Sequence, residues 1–293
     1  MLVSIFGCSI IHEFSYDRGK LERGVVRHHS LGKSPSSPEI ALNTTTSCCS
    51  PNESPDRARR ALLSSPVGLL GMASVGGLSW LGSDAAYAQA LTREERDKLT
   101  ADAVIEAMKA GNERFRSGKP QAHNYLAQKQ ATAAGQYPAA VIPGCIDSRA
   151  PAEIILDARI GDAFNARVAG NISNDDLLGS MEFACAAAGA KLILVMGHSA
   201  CGAVKGAIDD VKLGHLSGLL DKIKPAVAAT SYSGERTSKN AAFVDEVART
   251  NVLRTLDGIR HQSGVLAGLE KDGRIKIVGS MYYLVGGRVE FLT

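Results

Sequence analysis

Lys191-Leu192-Ile193-Leu194-Val195-Met196-Gly197-His198-Ser199-Ala200-Cys201-Gly202 sets an unbroken apolar run directly against a break of glycines and small polar residues. Consecutive apolar side chains without polar alternation read as a strand buried on both faces, the environment of a central strand in a parallel sheet. The Gly197–Gly202 break turns the chain into a helix expected over Ala203 to Val211.

The flanking sequence repeats this alternation. Ala139-Ala140-Val141-Ile142 is a second short apolar run that ends at Pro143-Gly144 and opens into Cys145-Ile146-Asp147-Ser148-Arg149. Ala163 to Val168 reads as a third strand, stopped by Ala169-Gly170-Asn171. Helical periodicity covers Thr92 to Ser117, Tyr125 to Ala134, Ser173 to Ala188 (capped by Ser173 or Asn174, closed by Gly189), Leu216 to Ala229, Asn240 to Ile259 and Val265 to Lys271. Arg274 to Val278 and Arg288 to Leu292 complete the strands. The pattern predicts an α/β fold, a mostly parallel central sheet flanked by helices, with an antiparallel edge strand after the short Gly286-Gly287 connection. Ligands collect beyond the carboxyl ends of such strands, where Cys145 and the His198–Cys201 turn fall.

The residue types there point to a metal. Two thiols and an imidazole suit borderline-soft zinc in a tetrahedron, and three protein ligands leave a fourth position for water. His-x-x-Cys alone recurs by chance, and small buried thiols with a satisfied core histidine are the competing reading. Cys145 at another strand end, followed by Asp147 and Arg149, favours the metal.

Cys145-Ile146-Asp147-Ser148-Arg149 with His198-Ser199-Ala200-Cys201-Gly202 resembles the paired signature of the β-class carbonic anhydrases. The likeness extends through Gly161-Asp162, Arg167-Val168-Ala169-Gly170-Asn171, Ser180-Met181-Glu182 and Ile277-Val278-Gly279, about residues 92–293. The resemblance implies one zinc ion per chain held by Cys145, His198 and Cys201, with Asp147 and Arg149 paired beside it. It also implies reversible hydration of carbon dioxide to bicarbonate and a proton by hydroxide formed on the zinc, and a homodimer or higher homo-oligomer with its active sites at the subunit interface. Two thiolates cancel the formal charge of zinc, so it should acidify water less than a zinc held by imidazoles alone. Asp147 can compensate by accepting a hydrogen bond from that water while Arg149 holds it off the metal. In some members the aspartate becomes a fourth ligand and closes the site, and a bicarbonate-inhibited subset carries tryptophan three residues before the first cysteine. Ile142 stands there, so the expected site is open near neutral pH, with Asp147 a ligand only in a closed state.

Upstream composition differs. Residues 1–56 are rich in Ser, Thr, Asn and Pro without apolar periodicity and are expected to be disordered or absent from the working protein. In residues 57–88, Arg57-Ala58-Arg59-Arg60, an apolar stretch over 61–82 and Ala86-Tyr87-Ala88 follow the order of an export signal of the twin-arginine type cleaved after Ala88. That places the 89–293 domain in the periplasm or outside the cell, with no membrane association after cleavage; an uncleaved anchor is the alternative. Such signals begin close to the initiator, so Met1 is expected to lie upstream of the native start. Cys8, Cys48 and Cys49 fall in the leader, and the three cysteines left, Cys145, Cys185 and Cys201, do not make a disulfide framework. A 45% hydrophobic, 22% charged chain excludes wholly disordered and multi-span membrane classes, and a net charge of +3 gives no case for nucleic acid.

Three competing functions remain. Gly197-His198-Ser199-Ala200-Cys201 nearly spells a serine hydrolase elbow, with Asp257 and His261 as conceivable partners. A zinc-storage protein enclosed by Asp147 and an enzyme acting on COS or CS2 are the others. Cys185 is expected to pack in the core, Tyr282 and Tyr283 to lie between the last strands, and His123, His215 and His261 to be ordinary surface histidines.

Overall fold

In the computed structural model, Leu192, Leu194 and Met196 point to one side of strand β3 (Leu192–His198) and Ile193 and Val195 to the other, and all five are buried. The apolar run is therefore two half-cores printed on one strand. The structure describes residues 90–292, and the expected leader segments 1–56 and 57–88 lie outside them.

The order is α1 (Arg93–Lys98), α2 (Ala101–Arg116), α3 (Tyr125–Thr132), β1 (Ala140–Gly144), α4 (Ala152–Ile155), β2 (Ala163–Arg167), α5 (Asp175–Glu182) with a π-helical extension (Phe183–Ala187), then β3. It continues through α6 (Gly202–Ile208), α7 (Gly214–Asp221), α8 (Lys224–Ala229), α9 (Ala241–Gln262), α10 (Gly264–Lys271), β4 (Lys276–Tyr282) and β5 (Val289–Leu292). The strands form one sheet in the order β2-β1-β3-β4-β5, all pairs parallel except β4–β5. This is the expected α/β architecture, antiparallel edge included.

Each half-core is closed by its own helices. Val104, Ile105 and Met108 of α2 and Ile155 of α4 cover the Leu192–Leu194–Met196 side. Val244, Val247, Val252, Leu256 and Ile259 of α9 cover Ile193 and Val195. Packing of α9 is unusually close because Gly197 has no Cβ. A methyl there would stand 2.5 Å from Val252 Cγ2 and 2.9 Å from Met281 Sδ.

Several boundaries differ from the periodicity reading. The helix expected over Thr92 to Ser117 is two, because Leu99 is extended and Thr100 caps α2 through the Ala103 amide. Leu216 to Ala229 also divides, with α7 reaching Asp221 and Pro225 falling in the first turn of α8, where its missing N–H costs no helical bond. The cap before α5 is Asn174, accepting from the Leu177 amide. β4 extends to Tyr282, so that tyrosine is a buried strand residue. Strand pairing with β3 through His198↔Tyr282 sustains the extension, which local composition does not signal.

Candidate metal centre

β1 and β3 are parallel neighbours with Gly144 opposite Met196, so Cys145, just after β1, and His198, closing β3, emerge at the same end of the sheet. From β1 the chain crosses outward to β2 and from β3 outward to β4, and a crevice opens between strands whose connections diverge in this way. The turn from β3 into α6 brings Cys201 into that crevice. One ligand atom each from Cys145, His198 and Cys201 lies within 4.8 Å of the others, and all three residues are buried.

The hydrogen bonds around these groups suit a cation. His198 Nδ1–H donates to its neighbour's Ser199 carbonyl at 2.9 Å, which leaves Nε2 carrying the lone pair. Nε2 is buried without a hydrogen-bond partner, an expensive state for a polar atom that no ligand completes. The Cys145 thiol is pulled well below its ordinary range, chiefly by a hydrogen bond from Cys201 that outweighs burial, with the Gly170 amide donating to Sγ at 3.3 Å. Cys201 is pushed upward because it gives that hydrogen bond and would ionise beside a thiolate. Two thiols that ionise together only beside a positive charge, and an imidazole nitrogen with nothing to bind, fit a zinc ion of tetrahedral preference.

Asp147 lies beside this set, its Oδ2 3.8 Å from His198 Nε2. Arg149 donates to it three times: backbone N and Nε to Oδ1, both at 2.9 Å, and Nη2 to Oδ2 at 2.7 Å. This hydrogen bonding, opposed by burial, holds the Asp147 carboxyl well below the usual carboxylate range. Arg167, at the end of β2, grips the same loop by donating to the carbonyls of Cys145 and Asp147.

All five expected site residues are thus brought together. Sequence reasoning missed the residues that fasten their loops. Asp245 accepts from the Ala200 amide, Asn251 donates to the Gly170 carbonyl, and Arg167, which the sequence shows only as part of a motif, donates to the Cys145 carbonyl. Gly170 itself stands at φ +71, with Ile223 Cδ1 where a Cβ would project, so no other residue fits that cradle without strain.

The hydrolase alternative does not survive. Ser199 Oγ accepts from the Leu284 amide, while His261 bonds through Nδ1 to the Asp257 carbonyl of its own helix and lines a separate cavity of about 730 Å³. His215 and His261 are exposed as expected, but His123 is not a surface residue. Its ring bonds to the buried Asp157 carboxylate at 2.8 Å, and its side chain is 7% exposed. Cys185 is buried in the core, its thiol pushed up to about 12 by desolvation.

Residues 140–289 match the carbonic anhydrase family model. The chain is 38% identical over 192 residues to carbonic anhydrase 2 of Mycobacterium tuberculosis, covering 64% of this chain and 90% of that protein. It is 31% identical over 186 residues to a carbonic anhydrase of Pseudomonas aeruginosa, covering 61% and 83%. Among solved structures, the β-carbonic anhydrase CafA of Aspergillus fumigatus superposes with a TM-score of 0.51 at 27% identity, over 64% of this chain and 90% of that one. A tetrameric β-carbonic anhydrase of Sordaria macrospora shares the fold at the same TM-score and 24% identity, over 64% and 96%. Fold, donor set and kinship agree: the chain belongs to the β-class carbonic anhydrases, zinc enzymes that hydrate carbon dioxide.

Proposed function

We propose that, in the zinc-dependent reversible hydration of carbon dioxide that this chain catalyses, Cys145, His198 and Cys201 hold one zinc ion per chain, Asp147 orients the reacting water and Arg149 positions Asp147. The observation that carries this reading is the convergence of the three ligand atoms within 4.8 Å, with the Asp147 carboxylate at their margin. Zinc bound there supplies the Lewis acidity that makes a water nucleophilic near neutral pH.

The chain's own residues do the rest. The Ser199 carbonyl fixes the His198 tautomer, so Nε2 presents its lone pair without rotation of the ring. Asp147 stays ionised because Arg149 occupies it from one side, and an ionised carboxylate can only accept hydrogen bonds. Its Oδ2 takes one guanidinium bond where Oδ1 takes two bonds from Arg149, and Oδ2 is the oxygen near His198. Oδ2 therefore accepts the water's hydrogen bond and aims its oxygen lone pair at the carbon of carbon dioxide. A C–O bond forms, one C=O pair moves onto oxygen, bicarbonate leaves and a proton passes to solvent. Ile142 is buried, and Asp147 is assigned to Arg149 rather than the metal at neutral pH. A zinc-loaded structure near pH 7 with Asp147 bonded to the metal would contradict that assignment.

Stopped-flow hydration with metal analysis on the full chain tests the reading. Cys145→Ser should lose both zinc and activity, and Asp147→Asn should keep zinc while losing about 100-fold in rate. Zinc near one per chain with no hydration at any pH would leave a storage protein.

A homodimer or higher homo-oligomer is part of the same proposal. Ile146, next to a ligand, is 61% exposed, an apolar side chain that a second copy would cover, and the Sordaria macrospora relative is tetrameric. Export to the periplasm or beyond by the twin-arginine route, with loss of residues 57–88, is likewise proposed from the leader sequence. A mature amino terminus other than Gln89, or protein retained in the cytoplasm, would count against it.

A further inference from the structure

Ala200 sits between His198 and Cys201 with φ +54, the left-handed region, where an L-residue crowds its own Cβ against the backbone. Alanine has no polar side chain to compensate locally, so the conformation must be held from outside. Its neighbour Ser199 is tied to the β4 end, the amide donating to the Tyr282 carbonyl at 2.9 Å and Oγ accepting from the Leu284 amide at 3.0 Å. The Ala200 amide goes elsewhere. It donates to Asp245 Oδ1 at 2.9 Å, a side chain 45 residues away in the first turns of α9.

The placement of Asp245 follows from the core. Val252 lies two helical turns further along the same face and packs against Gly197, which precedes His198. The missing Cβ that draws α9 onto β3 thereby brings Asp245 level with the turn beyond the strand. A backbone strained between two metal ligands and held by one carboxylate is a device for setting their separation.

We propose that Asp245 is a positioning residue of the metal centre, holding Ala200 in its left-handed conformation and so fixing the distance between His198 Nε2 and Cys201 Sγ. Without the carboxylate, Ala200 relaxes toward negative φ, the following peptide rotates, and Cys201 leaves the position it shares with His198. The proposal rests on the reading of Cys145, His198 and Cys201 as zinc ligands.

The test is zinc affinity of the metal-stripped full chain, measured by competition with a chromophoric chelator, together with the visible spectrum of the cobalt-loaded protein. Asp245→Ala should weaken zinc about 10–100-fold and alter the cobalt bands. Asp245→Asn, which keeps an acceptor oxygen, should stay within about threefold of wild type. Adding Ala200→Gly to Asp245→Ala should recover about tenfold, because glycine adopts positive φ without the Cβ penalty. Should Asp245→Ala not accumulate folded, Asp245→Ser, whose hydroxyl is too short to replace the carboxylate, takes its place with the same expectations. Affinity within twofold of wild type, or a loss that Ala200→Gly does not recover, overturns the proposal. Cys145→Ser separates the two readings: if it loses zinc while the Asp245 variants keep it, only the role of Asp245 fails, and if it too keeps zinc, the ligand set fails.

Discussion

Arg149 meets Asp147 as a planar fork, with Nε and Nη2 on different oxygens, while its own backbone amide adds a third bond. An ammonium cannot reproduce that geometry. Arg149→Lys is expected to keep zinc near one per chain and lower the hydration rate about tenfold, the cost of roughly one charge-assisted hydrogen bond; stopped-flow and metal analysis on one preparation check it. A fall in zinc content instead would make Arg149 a residue of the metal's binding rather than of Asp147's orientation. The pair was legible in the sequence because its members are two residues apart and their chemistry is complementary. Arg167, Asp245 and Asn251 were not, since their targets lie 20, 45 and 81 residues away and nothing in local pattern links an arginine at the end of β2 to carbonyls of the loop that follows β1.

Helix and strand positions follow from two different kinds of signal. β3 was readable because both half-cores demand apolar side chains on it, whereas β4 outran its expected end because pairing with β3 continues through residues that composition alone would leave in a loop. The division between α1 and α2 rests on Thr100 serving as a cap in the middle of a continuous apolar period, a choice between two acceptable hydrogen-bond patterns. Close approach of α9 yields a paired prediction. Gly197→Ala places a methyl against Val252 and Met281 and should destabilise the protein by about 1–3 kcal/mol. Gly268→Ala, inside α10 with open space where its Cβ would stand, should be neutral or stabilising by up to about 1 kcal/mol. Denaturant midpoints of both variants decide it, and equal effects would refute the packing argument.

At the scale of the molecule, Asp157, in the connection from α4 to β2, ties that connection to α2 and to the segment that leads into α3. Its buried carboxylate takes Arg114 from α2, His123 from the α2–α3 connection and the Gln121 amide. Burial alone would raise its pKa, but these hydrogen bonds outweigh burial and hold it below the ordinary value. A carboxyl with a folded value below its unfolded one contributes stability that is complete above the unfolded value, about 3.9, and is lost as pH falls through the folded one. Asp157→Asn should therefore cost about 1–3 kcal/mol at pH 7, and its gap from wild type should close as the pH drops below about 4. A gap constant from pH 7 to pH 3 would show that packing, not charge, makes the contribution. Chelation should abolish hydration and added zinc restore it, while sedimentation of the full chain at micromolar concentration should show a dimer or larger species; a monomer that remains fully active would end the oligomer proposal.

The alternation of strands and helices, the sheet class and the ligand types could be read from the chain alone, because burial on both faces, helical periodicity and Cys/His chemistry are properties of residues and their near neighbours. Which residues hold the ligand loops in place, where β4 ends, and the membership of His123 in a buried network emerge from the folded arrangement. Those outcomes depend on hydrogen bonds and contacts between segments far apart in the chain, whose energies exist only once the sheet has brought the segments together.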